Sequence, residues 1–427
     1  MPAAAFLAAI QKHSFWTIFA VAAIVRLTQV FTTIPPPGSG YDELEKVAKS
    51  LALHGTFADP YAISTGSTAH VAPGYTAFLS LIYMVFGVGL QGEQAKRAVS
   101  GIVSSLQYAL LPRIGDALRL PPWAGTAAGL ISALAPYKSF AETGEASWEQ
   151  PYLALALLLL FLHTLRSWRD PRPGMPWSLL TGFYWSVAAY ISPISGVVFA
   201  AILLYEIVAF RRIQSVLVTV LVFGILQVPW MARNWNQLHG VVALRSNFGL
   251  EFHLSNRPES SALMEDNVSN GFITRFHPSQ NVAAALAVQT KGEVTYNREE
   301  LRAGLDWVAE HPNQFSNLTF ERFWKFWLYP SHRWKSTLAT TLITLIGLVG
   351  IWRMPAGPAL RLVNIFLLSY PLIYYVIQVD RRYRYPIEWI FIVPAIYVIG
   401  EIAKRVRRHG PQCGAHRRNG RTVWMLD

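Results

Sequence analysis

The sequence predicts an all-α polytopic membrane protein with about ten transmembrane helices, outer juxtamembrane helices and a small helical outer loop domain. Three observations predict it. Hydrophobic residues make up 52% of the 427 residues and charged residues only 15%, where a soluble chain carries about 25% charged residues. Mean hydropathy is +0.28. Fifteen Trp, 18 Tyr and 23 Phe suit two interfacial aromatic belts, and apolar runs of roughly 15 to 21 residues recur along the chain, the order of length a span needs.

The first run, 15–34, is long enough to cross and lacks a small-residue cleavage site, so it reads as span and anchor together. Further runs lie at 73–90, 97–114, 122–138, 151–166, 177–193, 196–210, 214–230, 338–352, 361–378 and 386–403. Basic residues orient them, because short inner loops carry the excess of Lys and Arg. Lys12, Arg166 with Arg169 and Arg172, Arg211-Arg212, Arg353 with Arg361, and Lys404-Arg405 mark the inside. Counting back from Arg166, run 97–114 has to start outside, yet run 15–34 already leaves residue 35 outside. Run 73–90 therefore cannot cross. It is expected to lie along the outer side, between Pro73-Gly74 and Gly87-Val88-Gly89. Ten spans with both termini inside result.

The net charge of +12 would point to nucleic acid in a soluble chain. Here it sits in short clusters between apolar runs and in the tail from Lys404 to Arg421, where topology and anionic headgroups account for it. The single cysteine, Cys413, excludes a disulfide within the chain and a cysteine metal site. No internal repeat is seen. The expected organisation is a membrane catalytic module over 1–230 with an outer loop at 35–96, a large outer loop at 231–337, C-terminal transmembrane helices over 338–403 and a basic cytoplasmic tail over 404–427. In the large loop, Arg298 to Glu310 and Gln314 to Leu328 look helical. The stretch from Asn247 to Gln280 is rich in Asn, Ser, Gly and Pro.

Candidate chemistry gathers in the outer segments. Asp42-Glu43 opens a short polar helix beside the first span. A helix N-terminus favours acids for its own sake, but at the bilayer's edge one carboxylate can also act as general base. Glu142, Glu145 and Glu149 form a second acidic group between two spans. They could steer a cationic acceptor or hold a divalent cation, with Asp42 and Glu149 as the ligands. No His/Cys spacing supports zinc.

Cations on the wrong side form a third group: Lys96-Arg97, Lys138, and Arg381, Arg382 and Arg384 in the loop Asp380 to Pro386. One or two could snorkel to headgroups, whereas a cluster suits a lipid phosphate. Arg233-Asn234, beside Trp230 and Trp235, and Asn247 could bind a phosphate or sugar hydroxyls, or could simply anchor the interface. His70 is a minor candidate in the loop before run 73–90.

The stretches YDELEKVAKSLALHGTF, TAHVAPGYTAFLSLIYMVFG, VPWMARNW, RSNFGLEFHLSN, HPNQF, RFWKFW and RYRYPIEW follow an order that resembles bacterial glycosyltransferases of the GT-C superfamily. These are relatives of protein O-mannosyltransferases and of the aminoarabinose transferases that modify lipid A. The likeness covers most of residues 15–403. It implies transfer of a sugar from a polyprenyl-phosphate donor at the outer membrane face, with inversion at the anomeric carbon. Asp42 is implied as the catalytic base with Glu43 beside it, and Glu149 or Glu145 as the second acid.

Where relatives often carry Lys before Pro-Pro, this chain has His70 and Ala72-Pro73-Gly74. The expected partners are the lipid-linked donor, membrane lipids and an unspecified acceptor, and the expected location is a bacterial inner membrane. The rival readings are a flippase for lipid-linked glycans, which would want mid-span ionisable groups and a repeat, and a non-catalytic scaffold.

Overall fold

The computed structural model describes residues 13–33, 43–136, 148–170, 174–331 and 334–409. Among these residues the regular structure is helical, with two isolated bridges, Ala58 to Ser67 and Leu263 to Val379. The N-terminal helices are α1 (Ser14–Thr32), α2 (Glu43–His54), α3 (Pro73–Phe86), α4 (Leu90–Ala117), α5 (Pro122–Ala133) and α6 (Gln150–Arg169). They are followed by α7 (Met175–Ile191), α8 (Ser195–Phe210) and α9 (Ile213–Leu238). The large loop folds into α10 (Phe248–Ser255), α11 (Met264–Ser269), α12 (Phe272–Phe276), α13 (Val282–Lys291), α14 (Glu293–Glu310) and α15 (Pro312–Leu328). The chain closes with α16 (Trp334–Trp352), α17 (Pro358–Ser369), three short 3-10 turns (Leu372–Tyr375, Arg381–Tyr383, Tyr385–Ile387) and α18 (Trp389–His409).

Four helices, α1, α6, α9 and α16, have the length and apolar composition to cross a bilayer. A fifth does so if the turns at Arg381–Ile387 and α18, bent by 71°, count as one span. The shorter apolar helices include α3 and α8. The chain is an integral membrane protein. Helices answer the need to satisfy every backbone group in lipid, and the apolar runs map onto them closely. The differences have local causes. The run at 73–90 stops at Phe86, because Gly87 turns to φ +78° and returns its N–H to the Tyr83 carbonyl. The run at 361–378 breaks after Ser369, where Pro371 starts a 3-10 turn. α4 begins earlier than its run, since its polar first turns are buried by ion pairs.

Those ion pairs fix the first loop. Lys96 on α4 and Glu45 on α2 pair with both side chains 1% exposed. Lys96 also reaches Glu93 at 2.8 Å, and Lys49 reaches Glu45 at 3.5 Å. Arg97 donates to the Thr33 carbonyl at the end of α1, at 3.1 Å. The two wrong-side cations of the α4 start thus serve the protein's own carboxylates and a helix terminus, and neither lines the cavity described below.

α4 packs against α1, α3, α5, α6 and α18, which makes it the centre of the first half. α16 and α18 meet through small residues: a Cβ at Gly347 would lie 2.8 Å from the Phe391 carbonyl oxygen, and one at Gly350 2.6 Å from Pro394 Cβ. Close backbone approach of this kind holds membrane helices together.

Two outcomes are expected. Gly350→Leu should cost about 1–3 kcal/mol through overpacking, read as a lower unfolding temperature in detergent. Lys96→Met should cost about 3–5 kcal/mol by leaving Glu45 buried without its charge partner. Adding Glu45→Leu should recover much of that loss, and failure of the double variant to recover would show that the pair is not the cause.

Candidate active site

A cavity of about 540 Å³ opens where four segments meet: the start of α2, the loop before α3, the start of α6, and the large loop with the turn at 378–383. Each wall has a cause in the chain. The loop before α3 is held by Glu293 of α14, which accepts from the Ala69 N–H at 2.8 Å, from the Ser246 hydroxyl at 2.6 Å and from the Thr68 hydroxyl. Burial pushes the Glu293 carboxyl up, against the pull of these donors.

Lys46 of α2 donates to the Tyr61 and Ser279 carbonyls at 3.2 and 3.3 Å, tying α2 to both loops. The turn at 378–383 is paired with the large loop: Val379 N–H donates to Ala262 O at 2.8 Å and Met264 N–H to Val379 O at 2.9 Å. Asn267 reaches Gln378 at 2.8 Å.

Glu43 enters from the N-terminus of α2. Its Oε1 lies 3.5 Å from His277 Nδ1. Burial opposes its charge, but His277, then His70, a backbone N–H and Ser279 hold the carboxyl down at about 2. His70 is 2% exposed and its Nδ1 meets the Tyr61 hydroxyl at 3.0 Å. Burial, opposed by Glu43 and helped by His277 and Arg245, pushes its imidazole down to about 3. The ligand atoms of Glu43, His70 and His277 all lie within 4.8 Å of one another, so these three could hold a metal ion.

Glu149 sits at the cap position of α6, whose start is set by Pro151. Glu149 lines the same cavity, while its Oε2 is buried and has no hydrogen-bond partner among the described residues. A carboxylate oxygen buried in this way without a partner is costly. Arg382 stands near it. Burial works against the guanidinium's charge, but Tyr383, Asp380 and Glu149 together more than compensate. The guanidinium lies 3.7 Å from the Trp148 ring centre, and its Nε is 3.7 Å from Asp380 Oδ1. Asp380 in turn caps the 3-10 turn, accepting from Arg382 N–H at 2.9 Å. Arg245 lines the cavity too, fixed by its Nε donating to the His70 carbonyl at 3.0 Å.

The sequence-derived candidates separate. Glu43, His70, Glu149 and Arg382 line the cavity. Asp42, Lys138 and Glu145 lie outside the described residues. Arg233 donates to the Thr68 and Phe57 carbonyls at 2.6 and 2.8 Å, and Asn234 to the Val242 carbonyl at 2.9 Å. Both pin the first loop to α9 and neither lines the cavity. Asn247 contacts Glu251, one wall residue, at 3.4 Å. Arg381 is bonded to Ser336, and Arg384 donates to the Trp327 carbonyl beneath the Phe391 ring; these two also stay off the cavity.

Arg245, Glu251, His277, Asp380 and Trp148 line the wall and were not singled out from the sequence. Arg245 directly precedes the Ser-Asn-Phe-Gly stretch, and Asp380 opens the arginine cluster, so both had a local signal. His277 had none, since nothing in its neighbourhood shows that α12 brings it back to α2.

No family model matches the chain, and no curated protein matches it by sequence. Solved structures do match in fold. The oligosaccharyltransferase AglB from Archaeoglobus fulgidus, in complex with an inhibitory peptide and a dolichol-phosphate, is similar at TM-score 0.57 and 13% identity, over 94% of this chain and 51% of that one. An Archaeoglobus fulgidus oligosaccharyltransferase tethered with an acceptor peptide gives 0.55 at 12% identity, covering 94% and 51%. Its apo form gives 0.53 at 12%, covering 93% and 51%. This chain spans about half the length of those chains. The likeness is one of fold, and the GT-C resemblance drawn from the sequence agrees with it.

Proposed function

We propose that the protein is an inverting glycosyltransferase that moves a sugar from a polyprenyl-phosphate donor to a hydroxyl or amine acceptor, at the outer face of a bacterial inner membrane. The observation that carries this reading is the joining of acids and guanidinium groups in one cavity. Glu43 and Glu149 come from segments far apart in the first half of the chain, Arg245 from the middle and Arg382 from near the end. A scaffold has no use for an orphan buried carboxylate beside an arginine stacked on Trp148. The fold's neighbours add support: their structures hold dolichol-phosphate in one case and an acceptor peptide in another.

The reaction needs three jobs done. A carboxylate takes the acceptor's proton as its oxygen or nitrogen attacks the sugar C1. The C1–O bond to phosphate breaks on the opposite face, and the electron pair leaves with the phosphate. Arg382 and Arg245 balance that departing charge, so no general acid is required. Asp42, adjacent to Glu43 in sequence and implied by the resemblance, is assigned the base. Glu149, which lines the cavity, is assigned to orient the acceptor. Glu43 is already committed to His277 and His70, which leaves it a supporting part. Arg384, held by the Trp327 carbonyl, is not assigned to the donor.

Two measurements test the assignments, both using purified chain, radiolabelled polyprenyl-phosphate sugars and membrane acceptors. Asp42→Asn should lower transfer by about 10²–10⁴-fold, the usual share of a general base, with lipid binding unchanged; full activity in that variant removes the role. Arg382→Ala should raise the donor KM about 10-fold or more, the scale of a lost charge-assisted bond, with a smaller change for Arg384→Ala. An unchanged donor KM in Arg382→Ala counts against phosphate binding there. Absence of labelled product with every polyprenyl-phosphate sugar would defeat the reading as a whole.

A further inference from the structure

We propose that a second cavity, at the far end of α6 from the active site, binds the phosphate of an acidic phospholipid in the opposite leaflet. The site is separate from the transferase cavity and takes no part in the reaction.

One helix sets the distance between the two sites. α6 starts at Gln150, on the wall of the first cavity, and ends at Arg169, on the wall of the second. Its 20 residues extend about 30 Å, the thickness of a bilayer's hydrocarbon core. The second cavity therefore lies at the other membrane surface, at the level of the lipid headgroups. Three segments close it: the turn after α4 at Leu118 and Arg119, the end of α6, and the α16–α17 turn from Met354 to Ala359. It holds about 80 Å³, against about 10–15 Å³ for one water, so a group of several atoms fits. Its floor is apolar, with Leu118 and Met354 both buried. The charged side chains on its wall are Arg119 and Arg169. Asp116 and Asp170, the acids nearest to them in sequence, are not on it.

Arg119 carries the inference. Among the described residues its guanidinium has no hydrogen bond or ion pair. Its backbone sits at φ +58°, held by its own N–H on the Asp116 carbonyl at 3.0 Å and by the Leu120 N–H on the Gly115 carbonyl at 2.9 Å. That conformation suits glycine and disfavours a side chain. The turn thus carries an arginine where its geometry alone would select glycine. Arg169 donates through Nη2 to the Ala117 carbonyl at 3.2 Å, which fixes its head beside the turn. Its other N–H groups have no partner among the described residues.

Backbone supplies further donors. α17 starts on the cavity wall with Pro358 at its first position, and its cap residue, Gly357, has no side chain to offer. The N–H groups of its first turn therefore go without a side-chain cap, and a phosphate oxygen is a fitting acceptor. Two guanidinium groups beside a helix start select an anion. The wall also sets the lipid class. The ammonium of a zwitterionic headgroup finds no carboxylate among the described lining residues, whereas a phosphodiester with an uncharged head is matched throughout. Short basic loops at this membrane face attract the same lipids.

The test uses the full-length chain in a neutral detergent, stripped of lipid and incubated with phosphatidylglycerol or phosphatidylcholine. Bound lipid is counted by native mass spectrometry. One phosphatidylglycerol per chain should survive conditions that remove phosphatidylcholine. Arg119→Gly deletes the guanidinium while relaxing the backbone. Gly357→Asp caps α17 and places a carboxylate at the cavity; a Cβ there meets nothing within 4 Å, and a φ of 167° is extended backbone. Both variants should unfold at or above the temperature of the parent, and both should bind phosphatidylglycerol at least about 10-fold more weakly. Arg353→Ala removes a charge close by in sequence but off the cavity wall, and should change binding by no more than about twofold. Equal retention of the two lipids would overturn the site, as would full binding in both cavity variants or an equal loss in Arg353→Ala. Inorganic phosphate alone is the last arm: if it stabilises the chain as phosphatidylglycerol does while no lipid is retained, the ligand is a free anion and the lipid assignment fails. None of these readouts uses a sugar donor, so the site and the transferase reading stand or fall separately.

Discussion

The pairing of Lys96 with Glu45 is the constraint on which the site depends. Both side chains are buried, and a buried charge tolerates no loss of its partner. The pair therefore fixes not only where α2 docks on α4 but its rotation about its own axis. Residues two apart on a helix do not share a face. With Glu45 turned to Lys96, Glu43 has to point elsewhere, and it points to His277. The helix is gripped on one side by α4 and on the other by the large loop. Local charge pairing thus becomes orientation of a carboxylate in the cavity.

The large loop is too polar to fold around much apolar core of its own, and its structure shows how it compensates. It buries a small cluster around Tyr61, Leu250, Leu254, Phe272 and Tyr296, part of it borrowed from the first loop. It then ties itself down through polar contacts. Glu293 collects three donors from both loops, and Arg322 of α15 joins Asn256 and the Val376 carbonyl at 2.9 and 3.1 Å. Every such bond is made to a residue distant in sequence. A cavity assembled in this way has walls joined by polar contacts between distant segments, without a large hydrophobic core of the loop's own behind them.

Much of this was legible in the chain. The apolar runs map onto helices because lipid leaves the backbone little alternative. Arg298 to Glu310 and Gln314 to Leu328 fall within α14 and α15, since their amphipathic patterns are strong. The stretch 247–280 was harder: its short helices α10, α11 and α12 are set by tertiary contacts, not by propensity. In the site, Glu43, His70, Glu149 and Arg382 could be named in advance because their types are unusual at a bilayer's edge. The meeting of His277 with Glu43 and His70 could not, because His70 and His277 arrive from different loops.

The wrong-side cations show how a sound rule can mislead in detail. Lys and Arg outside a membrane do need a reason, but an external anion is only one kind. A helix C-terminus offers carbonyls with partial negative charge, and a buried carboxylate offers a full one. Arg97 takes the first reason at Thr33, Lys96 the second at Glu45, and Arg384 a carbonyl near the end of α15 at Trp327. Arg382, stacked on Trp148 and ion-paired with Asp380 at 3.7 Å, is the member of the cluster that stands on the cavity wall. Arg245, on the inner side of no sequence rule, joins it through the His70 carbonyl. Arg382 has Asp380 3.7 Å from its Nε and Glu149 nearby, so the protein's own acids balance part of its charge, while Arg245 is held through a backbone carbonyl. Both differ from Lys96 and Arg384 in lining the cavity, where a further anion can reach them.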